Sequence, residues 1–280
     1  MKKILYILPL FSLAFMSCEQ DANVDVPEVD PELVINCFIT PQDTFIRAKV
    51  SMSTPVFNTN TVSGPVTDAT VTLYGNSSSV VLAYNTNTQA YETTTAVFPI
   101  IAGNEYHIVV AVPSGMIADA YTTVPANPPA GFNSTAEINV TYTDPYAEGG
   151  NINIHYELDD VAGQNDFYRL VPYEMRTSTF MPDTMAYRAG WDLFSDQNAD
   201  GTHLARNFST EYFTNGDSLV AIDLYLMHCN YDYYTYHHSL QTDGMSGDNP
   251  FSEPTLMYTN VNNGLGVFAA ANYVYVRHWR

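Results

Sequence analysis

Cysteine is scarce, with three residues in 280. That excludes a disulfide-stapled scaffold and any zinc site built on several thiolates. Basic residues are nearly as rare, ten Lys and Arg against thirty Asp and Glu, for a formal charge of −20. Such a balance argues against a nucleic-acid partner, which needs cationic side chains along a phosphate backbone, and against direct adhesion to anionic lipid. Long apolar runs are missing except at the N-terminus, so nothing beyond it reads as a membrane-crossing helix. No HExxH or GxSxG pattern occurs: in Gly244-Met245-Ser246-Gly247 the second glycine follows the serine directly, without the intervening residue of a nucleophile elbow. Paired carboxylates carry no information here, because thirty acidic residues supply chance pairs everywhere. A catalytic constellation is therefore not expected.

What the chain does have begins at its first residues. Lys2 and Lys3 precede an apolar run from Ile4 to Phe15, and Phe15-Met16-Ser17-Cys18 ends in a cysteine. The run is short of the roughly 17–25 residues a span requires. It reads as a signal peptide over 1–17 followed by a lipobox, with Cys18 as the acylated (palmitate-bearing) first mature residue. Losing Lys2 and Lys3 leaves eight basic residues against thirty acidic ones, a mature charge of −22. Residues 18–33 contain EQDANVDVPEVDPE, acidic and proline-bearing, the composition of a flexible tether between a lipid anchor and a folded body.

Forty-six percent apolar residues suffice for a core. Over 34–125 the apolar residues recur with period two. Ile46, Ala48, Val50 and Met52 alternate with Phe45, Arg47 and Lys49, and Tyr106, Ile108, Val110 and Val112 alternate with His107 and Val109. Val71 and Leu73 form another short strand, and Gly64-Pro65, Gly75-Asn76 and Gly103-Asn104 mark turns at sandwich spacing. The order GPVTDATVTLYG, QAYETT, AGNEYHIVV resembles transthyretin-like or immunoglobulin-like modules. VPANPPAG at 124–131 is a proline-rich boundary, so 126–280 is read as a second, β-rich domain. There Ile152, Ile154, Tyr156 and Leu158 alternate as a strand. Asn215-Gly216 is a hairpin signal joining 207–213 to 218–226, where Val220, Ile222, Leu224 and Leu226 form an apolar face. Tyr233, Tyr236, His237 and Leu240 recur at helical spacing, which predicts one short helix over 231–242 with Tyr233, Tyr236 and Leu240 inward and Tyr234 and His238 outward. A last strand runs from Val267 to Val276. The expected fold is mainly β: two sandwich-like domains and one short helix in the second. Cys37 and Cys229 lie in strand-like runs and are expected as two buried free thiols, although an oxidising compartment would permit them to pair.

Two local motifs suggest binding. Asp196-Gln197-Asn198-Ala199-Asp200-Gly201 matches the first half of an EF-type calcium loop, with Asp196, Asn198 and Asp200 as side-chain ligands and Thr202 through its carbonyl. Position twelve is Asn207 where a bidentate glutamate belongs, and a polar turn uses the same residues. Tyr234 and His238, beside Tyr231, Tyr233 and Tyr236, form an aromatic cluster able to stack a sugar or peptide, or simply to cover a core. Asn249-Pro250-Phe251 and Asn262-Asn263-Gly264-Leu265-Gly266 are read as structural, the glycines permitting positive φ.

Several segments taken together, ELVINCFIT, GPVTDATVTLYG, AGNEYHIVV with YTTVP, NDFYRL, YDYYTYHHSLQ and NPFSEPTLMYTNVNNGLGVFAA, resemble the domain-of-unknown-function 4249 lipoproteins of Bacteroidota. Cys37-Phe38 stands where that family usually carries Gly-Trp. The resemblance implies a surface-facing outer-membrane lipoprotein, an accessory and non-enzymatic partner of a TonB-dependent transporter, and it implies no catalytic residues. The alternative expectation is a stand-alone surface module for glycan, peptide or calcium.

Overall fold

Alternation along the first half of the chain builds strands whose apolar residues all fall on one side. The computed structural model describes residues 30–54, 64–143, 147–163, 165–178, 183–246 and 256–280. The signal-peptide reading, Cys18, the tether up to residue 29 and Asn249-Pro250-Phe251 lie outside these. Strands β1 (Leu33–Ile39), β2 (Phe45–Met52), β3 (Thr70–Gly75), β4 (Ser78–Asn85), β5 (Ala90–Thr94), β6 (Glu105–Ala111) and β7 (Ile117–Thr123) form the N-terminal half. They enclose one core, with Ile35, Cys37, Ala48, Leu73, Tyr106 and Ile108 almost fully buried. In β2 the buried residues are Ile46, Ala48 and Val50, as the sequence pattern requires.

The second half contains β8 (Ala130–Thr143), β9 (Ala147–Asp159), β10 (Phe167–Ser178), β11 (Met185–Arg188), β12 (Asp192–Ser195), β13 (His203–Asn215), β14 (Asp217–Cys229), helix α1 (Tyr231–Ser246) and β15 (Leu265–Trp279). Strands β13, β9 and β8 make a separate three-stranded sheet. It covers a second core of Ile152, Ile154, Tyr156, Leu158, Leu170, Leu224 and Leu226. The fold is mainly β and sandwich-like, with this one helix among the described residues.

The hairpin expected at Asn215-Gly216 is absent. Gly216 has the positive φ (78°) of a tight turn, but β13 pairs only with β9 while β14 pairs with β10 and β15. The turn is a corner where the chain passes from one sheet to the other. Turn chemistry fixes a local reversal; it does not decide which strand becomes the neighbour. The apolar face of β14 is also shifted. Register slips opposite Met175/Arg176, which takes Val220 out of the ladder and puts Leu219 into the core in its place. Pro172 is tolerated in the middle of β10 because it sits between the two short strands on that edge. Its carbonyl accepts Ala189 N–H at 2.9 Å, and its missing N–H faces the same gap.

Strand β15 links the halves. It pairs antiparallel with β14 and parallel with β1, so a continuous path of pairing runs β11-β10-β14-β15-β1-β2-β5-β4-β3-β6-β7. Pro31–Arg280 is accordingly one compact unit by its contacts, although the proline-rich segment between β7 and β8 separates two cores. Phe268 and Ala270 enter the first core, whereas Val267, Ala269 and Ala271 face α1, with Tyr233 and Cys229. Gly266 (φ +100°) lies so close to the Ile35 carbonyl that a side chain has no room.

Helix α1 starts where Asn230 caps it. Asn230 Oδ1 accepts Tyr233 N–H at 3.0 Å, and Asp232 adds a negative charge in the first turn. The same asparagine donates to Thr122 Oγ1 at 2.7 Å and to the Ala270 carbonyl at 3.0 Å, tying helix, β7 and β15 together. Asn230→Ala is expected to cost about 1–3 kcal/mol in denaturant unfolding. Asn230→Asp, which keeps the cap acceptor, should recover part of it; equal losses would mean the cap is immaterial. Tyr233 is buried as expected, but Leu240, expected inward, is 42% exposed. Ser239, whose hydroxyl donates to the Tyr236 carbonyl at 2.8 Å, takes the buried position beside it. Both thiols are free and buried, one in each of two different cores. Burial pushes Cys37 up to about 12 and Cys229 further still, so neither is a reactive thiolate. No helix among the described residues is long and apolar enough to cross a membrane.

Candidate functional site

Two loops meet at one end of the three-stranded sheet. The first leaves β9 at Asp160 and enters β10 after Asp166; the second leaves β12 at Asp196 and enters β13 after Thr202. Backbone and side-chain hydrogen bonds zip them together. Asp160 N–H donates to the Thr202 carbonyl at 3.1 Å, Asp196 N–H to the Asp166 carbonyl at 3.1 Å, and Gly163 N–H to Asp200 Oδ1 at 2.7 Å. Gly201 N–H donates to Asp160 Oδ2 at 2.7 Å. Gly201 is required for more than the turn: at φ +67°, an added Cβ would lie 2.5 Å from the Ala162 Cβ of the opposite loop.

This zipping gathers three carboxylates. One oxygen each from Asp160, Asp196 and Asp200 lies within 4.8 Å of the others. Asp160 is held by Tyr168 O–H at 2.7 Å, and Asp166 Oδ1 by His228 Nε2 at 3.0 Å. Asp196 differs from all of them. It is 1% exposed, and neither carboxylate oxygen has a hydrogen-bond partner. Asp166 Oδ2, also buried, is likewise unpartnered. Burial raises the Asp196 pKa; the nearby Asp166 backbone N–H, outside hydrogen-bond geometry, opposes this, and the charges of Asp160, Asp166 and Asp200 add to the rise. The same neighbourhood raises the Tyr168 hydroxyl, through burial first and then Asp160. A buried carboxylate without donors costs several kcal/mol unless a cation or a proton compensates it.

The sequence motif therefore located two of the three converging groups, Asp196 and Asp200. Asn198 is exposed in the same turn. Thr202, expected to offer its carbonyl, uses it for Asp160 N–H, and its hydroxyl donates to the Ala199 carbonyl at 2.6 Å. Asn207 is on β13 and bonds His155, and strands rather than helices flank the loop, so this is no EF-hand. Asp160 was missed because it stands 36 residues upstream; only the pairing of β9 with β13 brings it near.

The second expected site is less of a site. Tyr234 stacks on Phe167 with ring centroids 4.6 Å apart, and His238 lies beside it at 5.7 Å. Tyr234 is thus half-buried by a sheet residue and His238 remains exposed. A better aromatic depression lies on the outer face of β10, β14 and β15, which sequence reading had not singled out. It has a volume of about 270 Å³ and is lined by Asp43, Tyr173, Asp223, Tyr225, Met227 and Tyr273, among others. Tyr225 touches Tyr173, Tyr273 and Tyr275 at 5.7, 5.4 and 5.0 Å. Asp223 beside it is held bidentately by Arg277 at 2.6 and 2.7 Å. Such a surface suits stacking and hydroxyl recognition. Its signal was the residues alternating with the apolar face of β14: Asp223, Tyr225 and Met227.

Among known proteins, the family model described as "Domain of unknown function (DUF4249)" matches residues 19–276. No curated protein matches the chain. Covering nearly all of the chain, this match establishes that the protein belongs to the DUF4249 family.

Proposed function

We propose that this protein is a lipid-anchored, surface-facing component of the outer membrane that serves, without catalysis, as accessory partner of a TonB-dependent transporter. The observation that carries the reading is the N-terminal sequence: a short apolar run, Phe15-Met16-Ser17-Cys18, then an acidic stretch before the compact unit begins at Pro31. Thirteen residues from Cys18 to Pro31 reach at most about 45 Å, enough to stand a small domain clear of the bilayer. Support for the transporter comes from the family likeness, and the exposed aromatic face around Tyr275 (46% exposed) and Trp279 (72%) offers such a partner a surface to recognise.

Cys18→Ser is expected to abolish acylation and release the protein from the membrane fraction, read by labelling with a clickable palmitate analogue. Wild-type protein tagged at its C-terminus should co-purify with one β-barrel transporter in stoichiometric amount from gently solubilised outer membranes. Labelled protein that repeatedly purifies alone would refute the partnership and leave the anchor standing. The second reading, a surface module for glycan or peptide, is favoured by the depression between Tyr173, Tyr225 and Tyr273. Loss of oligosaccharide or peptide retention in Tyr225→Ala would favour it.

A further inference from the structure

We infer that Asp160, Asp196 and Asp200 hold one calcium ion, which clamps the loop entering β10 to the loop entering β13. The argument starts from distance. Oxygens around a single calcium lie about 2.3–2.6 Å from it, hence up to about 5 Å from one another. The three carboxylate oxygens, all within 4.8 Å of one another, come close enough to share one ion with only small side-chain adjustment. An acidic cluster alone would prove little, since exposed carboxylates gather on any acidic surface. Asp196 supplies the independent observation: it is sealed from water, aimed into the group, and both its oxygens are unpartnered. Asp166, outside the trio, adds a further buried oxygen with no donor.

The surrounding groups behave as supports for ligands. Tyr168 O–H and Gly201 N–H fix Asp160, and Gly163 N–H fixes Asp200. Each bonded oxygen retains a lone pair for an ion, and outer-shell donors of this kind orient ligating carboxylates. Chemistry selects the metal. The group contains no histidine or cysteine, which disfavours zinc and copper. Magnesium demands near-ideal octahedral geometry and keeps its waters, whereas calcium accepts irregular carboxylate sets, with Asp200 at the exposed side leaving room for water. The inference is independent of any transporter partner.

The test is calorimetric titration of chelator-treated mature protein with calcium chloride and, separately, magnesium chloride. One calcium per chain is expected, with a Tm rise of about 5–10 °C near hundredfold saturation. Asp196→Asn should remove the binding, and its metal-free form should melt no lower than wild type because a buried unpaired charge is gone. Asp200→Asn, altered at the exposed side, should fold normally and bind at least tenfold more weakly. Terbium offers a second readout: excitation of tyrosine should sensitise its emission through Tyr168, and calcium should quench it by displacement. A flat calcium titration with no Tm change would overturn the assignment. So would binding retained in Asp196→Asn, or an equal response to magnesium.

Discussion

Gly266→Ala should cost at least about 4 kcal/mol in stability and leave little folded protein at 37 °C. Two effects combine. At φ +100° an L side chain carries roughly 1–2 kcal/mol of backbone strain. The added Cβ would also run into the Ile35 carbonyl, coming within 2.9 Å of its carbon, and a backbone group inside a paired strand cannot swing aside. Gly216→Ala separates the two effects. Gly216 also has positive φ (78°), but nothing lies within 4 Å of the position its Cβ would take. That variant should lose only the strain, about 1–2 kcal/mol. Equal losses in the two variants, measured by urea unfolding, would show that the close approach of β15 to β1 is unimportant.

The second large effect is a pH dependence. His237 on α1 lies between Phe38, at 5.3 Å, and Tyr233, at 4.3 Å, and its Nδ1–H donates to the Tyr233 carbonyl at 2.9 Å. Burial first, and then the positive charge of Arg169, push its pKa down to about 4 from an ordinary 6.5. The folded protein therefore keeps this ring neutral while the unfolded chain takes up a proton below pH 6.5. Stability must fall as pH drops from about 6.5 to 4 and level off below that. The shift corresponds to at most about 3 kcal/mol, and less where water reaches the ring. His155 and His203, raised by Asn207 and Asp159 respectively, act in the opposite direction, so the comparison must be between variants. His237→Phe, which keeps an aromatic ring against Phe38 and Tyr233, should flatten the slope between pH 6.5 and 4. An unchanged slope would remove His237 as its source.

Much of the architecture was legible because one-sided burial writes itself into period two. Ile46, Ala48 and Val50, or Tyr106, Ile108 and Val110, are strand residues in the sequence and core residues in the structure. The helix was legible from Tyr233 and Tyr236, though its far end was misjudged at Leu240. Pairing partners were not legible. Asn215-Gly216 carries hairpin chemistry, yet the two flanking strands pair with β9 on one side and β10 on the other, partners far away in the sequence that no local window reveals. Val220 was misassigned for a related reason: a one-residue slip in the ladder moves a side chain without leaving a mark in composition. At the acidic centre the local motif showed Asp196 and Asp200, while Asp160 and Asp166 needed the fold. The tyrosines of the outer face come from three strands that are distant in sequence, so no window contains them together.

The parallel pairing of β1 with β15 has a consequence in time. Residues 33–39 leave the ribosome long before the strand that flanks them, which spans 265–279. The N-terminal core draws Phe268 and Ala270 from that strand, so it cannot close before β15 has been made. Contacts of such long sequence separation slow folding, since the intervening chain must be brought round before they form. Until β15 emerges, β1 lacks its parallel neighbour and the first core stays open on that side.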